Sequence, residues 1–261
     1  MFLVSLAALM RGGGCAPTRA FEEPSGPHFS LLTYNVNYGG PGADQTIDAI
    51  ARAGADVVCL QETNPAWEEW LRAKLSQTYP HMAFLHSPAA GGLAVLSRAP
   101  IAEVERVPPS AGWFPAWILR VQTAAGPVQV VNVHLRPSLS EEGKVTLGAL
   151  IGTKAVRLRE AEALWPRLAP GEPTILAGDL NEGNDGGAIA WLADRGLTDA
   201  LPEFDRHSPT WRWSTPLLTL HARFDHVLYN DRLHCLRAQV LNQGASDHFP
   251  VISVFQLAPT R

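Results

Sequence analysis

The stretch Pro-Thr-Ile-Leu-Ala-Gly-Asp-Leu-Asn-Glu, residues 173–182, sets the fold class. Pro173–Ala177 is a short apolar run that suits a strand buried on both faces. Gly178 closes it, and a carboxylate (Asp179) and a carboxamide (Asn181) follow at once. Polar groups placed where a rigid strand meets a loop are held well enough to bind or react. The arrangement recurs along the chain. Upstream, Asn35 closes Leu-Thr-Tyr-Asn-Val-Asn (32–37), Glu62 closes Val-Cys-Leu-Gln-Glu-Thr (58–63), and His134 lies in Val-Val-Asn-Val-His-Leu-Arg-Pro (130–137). Downstream, Asp225 and His226 lie in Arg-Phe-Asp-His-Val-Leu-Tyr (223–229), and Ser246, Asp247 and His248 in Ala-Ser-Asp-His-Phe-Pro-Val (245–251).

Between these stretches, strands alternate with helices and Pro/Gly turns. Phe29–Val36 reads as a strand, Asp44–Ala53 as a helix ended by Gly54, Asp56–Gln61 as a doubly buried strand and Pro65–Leu75 as a helix. A run of strands without room for helices follows at Met82–His86, Leu93–Ser97, Ile101–Val107, Trp117–Thr123 and Val128–Leu135. Helices are expected over Ala155–Leu168 and Ala188–Ala193, and further strands near Arg223–Tyr229, Leu233–Leu241 and Pro250–Phe255. This count points to an α+β architecture with two sheets packed face to face and helices outside. One domain is expected over 28–261, preceded by a signal-like or lipoprotein-like segment and linker over 1–27.

Composition narrows the function classes. The 261 residues hold 21 Lys+Arg against 25 Asp+Glu, a net charge of −4, with 46% hydrophobic and 18% charged residues. That excludes intrinsic disorder, a long coiled coil and a protein that coats DNA with positive charge. It leaves open an enzyme with a local phosphate site. Met1–Met10 is apolar, too short to span a bilayer, and suits the apolar core of an export signal. Gly12-Gly13-Gly14-Cys15 looks like a degenerate lipoprotein box, so export to the periplasm, the exterior or a lipid anchor at Cys15 is expected, with a cytoplasmic protein as the alternative. Cys59 and Cys235 lie in apolar runs and read as buried thiols. No Cys/His zinc spacing occurs.

The strand-end groups are carboxylates, carboxamides and imidazoles, with no thiolate. Such a donor set suits a hard cation such as Mg²⁺, Mn²⁺ or Ca²⁺, and the imidazoles add proton-transfer capacity. The ordered series Tyr-Asn-Val, Leu-Gln-Glu, Val-His-Leu, Gly-Asp-Leu-Asn, Phe-Asp-His-Val and Ser-Asp-His-Phe-Pro-Val resembles the endonuclease/exonuclease/phosphatase superfamily, over about Phe29 to Phe255. That superfamily includes deoxyribonuclease-like enzymes, apurinic endonucleases, bacterial sphingomyelinases and inositol polyphosphate 5-phosphatases. The resemblance implies a four-layer α/β-sandwich with two mainly antiparallel sheets flanked by helices. It implies a divalent-metal-dependent phosphoester hydrolase, foremost a phosphodiesterase acting on nucleic acid. A sphingomyelinase-like or inositol-phosphate hydrolase and a non-catalytic binding member are the alternatives. No obligate protein partner is expected.

The resemblance also implies roles. Glu62 is the expected metal carboxylate, with Asn35 beside it and Asp247 as a further metal-side carboxylate. Asp179 aligns or deprotonates the attacking water, and Asn181 hydrogen-bonds that water or a phosphate oxygen. His248 contacts the scissile phosphate and is oriented by Asp225. His134 is the deoxyribonuclease-like choice at a position near the phosphate. Which of Asp179 and His248 is the base stays open. Asn37 departs from the pattern, since apurinic endonucleases carry an acidic and deoxyribonucleases a basic residue there. Asn37, Arg136 and Trp211, the last in a Thr-Trp segment resembling an active-site rim, are candidates for substrate binding. Trp113, Phe114 and Trp117 form a Pro-flanked aromatic stretch that suits either an exposed loop or packing. Glu141, Glu142 and Lys144, followed by Gly148 and Gly152, suggest a mobile insertion beside the site.

Overall fold

The structure, a computed structural model, describes residues 18–40 and 42–259. The first half of the chain forms β1 (His28–Asn35), α1 (Ala43–Ala53), β2 (Val57–Gln61), α2 (Pro65–Leu75), β3 (His81–Leu85), β4 (Leu93–Ser97), β5 (Ile101–Val107), β6 (Ala116–Thr123) and β7 (Gly126–His134). The second forms α3 (Leu147–Leu164), β8 (Thr174–Asp179), α4 (Gly187–Ala193), β9 (Thr198–Asp199), α5 (Leu201–Phe204), β10 (Trp211–Ser214), β11 (Thr219–Ala222), β12 (Asp225–Tyr229), β13 (Leu233–Val240) and β14 (Val251–Leu257).

Two six-stranded sheets result, in the orders β13-β14-β1-β2-β4-β3 and β5-β6-β7-β8-β12-β9. Each has one parallel pair at its centre, β1–β2 in the first and β7–β8 in the second, and its other pairs are antiparallel. A parallel pair needs a crossover, supplied by α1 in one sheet and α3 in the other. The period-2 alternation of each central strand feeds two layers at once. In β1, Phe29 and Leu31 enter the core between the sheets, while Leu32 and Tyr34 pack outward with Ile47, Ile50, Trp67 and Leu71 of α1 and α2. In β8, Ile175 and Ala177 face the inner core, while Leu176 packs outward with Ala161, Leu164, Ile189 and Leu192 of α3 and α4. The four layers implied by the resemblance follow from this double-sided burial.

Buried amides join the sheets just below the strand ends. The Gln61 amide donates to Asn132 Oδ1 at 2.7 Å, and the Asn132 amide donates to the carbonyls of Leu60 and Ala94 at 3.0 Å each. Because these buried polar atoms find partners, they fix the sheets' relative position instead of destabilising the core. Gly178 is needed where β8 passes β7, since a Cβ there would meet the Val133 carbonyl oxygen at 1.9 Å.

Three features differ from expectation. α3 begins at Leu147, not Ala155, so Gly148 and Gly152 lie inside its first turns; the Thr146 side chain accepts from Ala149 N–H and caps it. The Thr-Trp segment enters a separate hairpin, β10–β11. Ahead of the Pro24–Pro27 linker the chain is already pinned to the domain: Arg19 N–H donates to Glu203 O at 2.7 Å and Glu22 N–H to Leu236 O at 2.9 Å. The signal-like stretch and Cys15 lie outside the described residues. Among the described residues no helix is long and apolar enough to cross a membrane. Cys59 and Cys235 are buried and free.

Candidate active site

The C-terminal ends of both parallel pairs meet at one end of the sandwich, the position where open α/β sheets gather ligands. From the first sheet, β1 ends in Asn35 and β2 runs into Glu62; from the second, β7 ends in His134 and β8 in Asp179. One side chain links the halves. The Asn35 amide donates to Glu62 Oε1 and to Asp179 Oδ2, both at 3.0 Å. β12 starts at Asp225, opposite Asp179 in register, and the loop before β14 brings His248 over both.

Asp179, Asp225 and His248 form a buried cluster whose ligand atoms all lie within 4.8 Å of one another. His248 Nδ1 donates to Asp225 Oδ2 at 2.8 Å, which turns Nε2 toward Asp179 Oδ2 at 3.6 Å. His134 Nε2 approaches the same oxygen at 3.5 Å, while its Nδ1 donates to the Ala90 carbonyl at 3.3 Å and Phe114 stacks on its ring at 4.4 Å. Burial alone would lower the basicity of His248. The carboxylates of Asp225 and Asp179 override it and push the imidazole up to about 10, so it is a cation at neutral pH. Burial raises the Asp179 carboxyl against the pull of His248 and His134.

The backbone pays attention to the same residues. Asn37, Glu62 and Asn181 have φ of 61°, 62° and 53°, in the left-handed region that non-glycine residues seldom adopt. Such strain persists where the surroundings impose it, commonly at functional sites. Here local hydrogen bonds do so. Asn181 N–H donates to Asp179 Oδ1 at 2.9 Å, and Asn37 N–H to Asn35 Oδ1 at 3.0 Å. Glu62 Oε2 accepts from Tyr38 N–H at 2.9 Å.

The remaining expected residues fall into two groups. Asp247 sits beside the cluster and accepts from the Asn37 amide at 3.0 Å and the Trp211 indole N–H at 3.2 Å. Trp211 therefore orients Asp247, and its ring packs on Phe224 at 5.2 Å. The Asn181 amide donates to the Leu135 carbonyl at 3.1 Å, which ties the β8 loop to the end of β7. Arg136 lies behind His134 in a separate network: its guanidinium covers Trp113 at 3.1 Å and bonds Leu139 O and Glu141. Of the aromatic stretch, Trp117 is fully buried, and Trp113 and Phe114 are anchored to Arg136 and His134.

Sequence reasoning missed the support behind the site. Buried Arg157 pairs with Glu182 at 3.3 Å and donates to the Arg136 carbonyl at 3.0 Å, while Glu160 accepts from Arg136 N–H at 2.9 Å. Burial pushes the Glu160 carboxyl up to about 7. His226, next to Asp225, points away: Nδ1 meets Asp199 Oδ2 at 2.7 Å and Nε2 the Glu182 carbonyl at 2.9 Å. Two acceptors require two N–H groups, so His226 is a buried structural cation. Glu182 directly follows the Asp-Leu-Asn motif, and that adjacency is the only signal the sequence offered.

The donor set fits a divalent cation. Four carboxylates (Glu62, Asp179, Asp225, Asp247) converge with Asn35, and among the described residues no lysine or arginine forms an ion pair with any of them. Both Glu62 oxygens accept only from neutral donors, and Asp225 Oδ1 is buried with no hydrogen-bond partner. Such a concentration of charge calls for a cation.

Comparison with known proteins agrees with the fold. A family model described as Endonuclease/Exonuclease/phosphatase family matches residues 32–248. An endonuclease/exonuclease/phosphatase structure from Beutenbergia cavernae is similar at 21% identity and a TM-score of 0.71, covering 89% of this chain and 72% of the other. Humanized D. rerio TDP2 is similar at 16% identity and 0.66, covering 88% and 99%. SmcL is similar at 18% identity and 0.67, also covering 88% and 99%. No curated protein matches the chain.

Proposed function

Since the chain belongs to the Endonuclease/Exonuclease/phosphatase family, we propose that it is a divalent-metal-dependent phosphodiesterase. The observation that carries the reading is the convergence of Asp179, Asp225 and His248 within 4.8 Å, linked through Asn35 to Glu62. Glu62, Asn35 and Asp247 are the residues to hold the metal, with Mg²⁺ or Mn²⁺ the best match for oxygen donors and Ca²⁺ a further candidate. When bound, the metal supplies Lewis-acid stabilisation of charge on the phosphate.

The chain's own residues supply the rest. The His248 imidazolium, fixed by Asp225, presents Nε2–H to a nonbridging phosphate oxygen and offsets charge there as it builds up. Asp179, engaged by Asn35 and Asn181, accepts the proton of the attacking water; its raised affinity for protons suits that role. The water oxygen bonds to phosphorus, the ester P–O bond breaks, and the leaving oxygen takes the His248 Nε2 proton, which Asp179, 3.6 Å away, replaces with the one it took from the water. His134, held by Ala90 and Phe114, borders the same space. The nucleic-acid substrate expected from the sequence and the sphingomyelinase-like or inositol-phosphate alternative share this chemistry. A D. rerio TDP2 structure complexed with single strand DNA product is one neighbour, and SmcL is another.

Hydrolysis of bis-p-nitrophenyl phosphate tests the proposal. Activity is expected with Mg²⁺ or Mn²⁺, to vanish on chelation and to return when metal is restored. Full activity after chelation and metal-free dialysis would sink it.

A further inference from the structure

Large apolar side chains are unevenly exposed. Among the described residues, eight of thirteen such exposed side chains fall in segments 145–151 and 213–220. Leu217 is 94% exposed, Leu147 74% and Ile151 65%. The first segment is the start of α3, where Leu147, Leu150 and Ile151 share a face at spacings of three and four. The second is the β10–β11 hairpin, with Leu217 and Leu218 in its turn and Trp213 opposite Leu220. Both lie at the site end of the sandwich. α3 follows His134 after an irregular arm and runs back along the sheet to β8; its Arg157 and Glu160 already meet Arg136 at the end of β7, so its first turns project past the strand ends. The hairpin starts at Trp211, whose indole binds Asp247 and whose backbone bridges to His248. In the sheet, β8 and its Asp179 lie between β7, which leads to α3, and β12, which the hairpin enters.

Charge follows the same partition. Residues 143–158 carry exposed Lys144 and Lys154 and no Asp or Glu, with Glu141 and Glu142 just before them, and residues 211–224 carry half-buried Arg212 and no acid; Arg157 and Arg223 are taken up by Glu182 and Asp205. In a chain of net charge −4, neither apolar protrusion carries an acid of its own, and each has a cation beside its leucines, Lys144 in one and Arg212 in the other. Exposed leucines with an aromatic ring and cations among them are the composition that inserts at a lipid–water boundary.

We propose that these segments form a rim that seats the protein on a phospholipid surface, with headgroup phosphoesters entering the site between them. The substrate class rests on the phosphodiesterase reading; the docking does not. A nucleic acid offers no apolar phase to cover Leu217 and Leu147, and a folded partner spanning both segments would close the mouth. A lipid surface covers the leucines, complements the cations and carries phosphodiesters at its boundary.

The protein, residues 1–261, is to be sedimented with vesicles of phosphatidylcholine, alone and with phosphatidylserine, beside the double variants Leu217→Glu/Leu218→Glu and Leu147→Glu/Ile151→Glu. All forms keep residues 1–17, so any difference belongs to the rim. The parent should sediment with vesicles, more so with phosphatidylserine, and each variant should partition roughly tenfold less. Hydrolysis of bis-p-nitrophenyl phosphate by the variants should stay at the parent's rate, and release of headgroup from vesicles should fall with binding. A parent that stays in the supernatant, or variants that bind as it does, overturns the docking. So does plasmid DNA hydrolysis that drops in the variants without any vesicle binding. Vesicle binding by a parent inactive on bis-p-nitrophenyl phosphate leaves the rim standing and refutes the phosphodiesterase reading instead.

Discussion

The two sheets are built alike and used differently. Each centres on a β-α-β unit whose strand ends point into the site, yet the first delivers Asn35 and Glu62, acceptors and an amide held by neutral donors. The second delivers His134 and Asp179 and, through β12, Asp225, a buried imidazole and two buried carboxylates, with both carboxylates facing His248. One half is suited to hold a cation, the other to move protons. The crossovers differ too: α1 is an 11-residue helix, whereas α3 is 18 residues long and follows an irregular arm carrying Arg136 and Glu141. A shared topology therefore fixes the reacting groups, while the longer crossover is free to shape the surface around them.

Replacing His248 strikes the proton-handling half directly. His248→Ala should lower turnover of bis-p-nitrophenyl phosphate by about 10²–10⁴-fold while leaving circular dichroism unchanged. A rate near that of the parent would break the division of labour. Asn35→Ala removes the bridge between the halves and should cost about 10–100-fold, with part of the loss recovered at higher Mg²⁺. If extra metal recovers nothing, Asn35 serves the phosphate and not the cation-holding half.

The smallest effect concerns the long crossover. Glu160 has a folded-state pKa of about 7, raised by burial from 4.5. Because it is raised, its contribution to stability is full below 4.5 and is lost as pH climbs through 7. Glu160→Gln cannot titrate and still accepts from Arg136 N–H. Its stability relative to the parent should therefore rise between pH 5 and pH 8, by up to about 3 kcal/mol. Thermal melts of both proteins at the two pH values check this, and parallel shifts would remove Glu160 from the pH response.

The strand ends were legible because their signal is local: an apolar run, a Gly or a turn, then a carboxylate or imidazole. Leu93–Ser97, Ile101–Val107 and Pro65–Leu75 have the bounds read from pattern alone. The start of α3 was not legible, because Gly148 and Gly152 weaken helix propensity and its apolar residues do not keep to one stripe. Nor was the hairpin, whose exposed Leu217 and Leu218 resemble a core segment in composition. Arg157 and Glu160 read as an ordinary polar helix face until the fold buried them against Arg136 and Glu182. His226 and His248 each follow an aspartate in the sequence, and only their partners separate them. One is saturated by two acceptors, and the other has a nitrogen facing the mouth.

The pinning of residues 19–22 determines how the molecule can be held. Glu203, which receives Arg19, bonds Tyr229 at the end of β12 away from Asp225, and Leu236 lies toward the end of β13 that pairs with the close of β14. A bead, a fusion partner or a surface joined at residue 18 thus attaches at the end opposite the candidate site, and the mouth with its two protrusions faces outward. Immobilisation through the N-terminal side should leave access to large substrates intact, whereas joining through the hairpin should obstruct it.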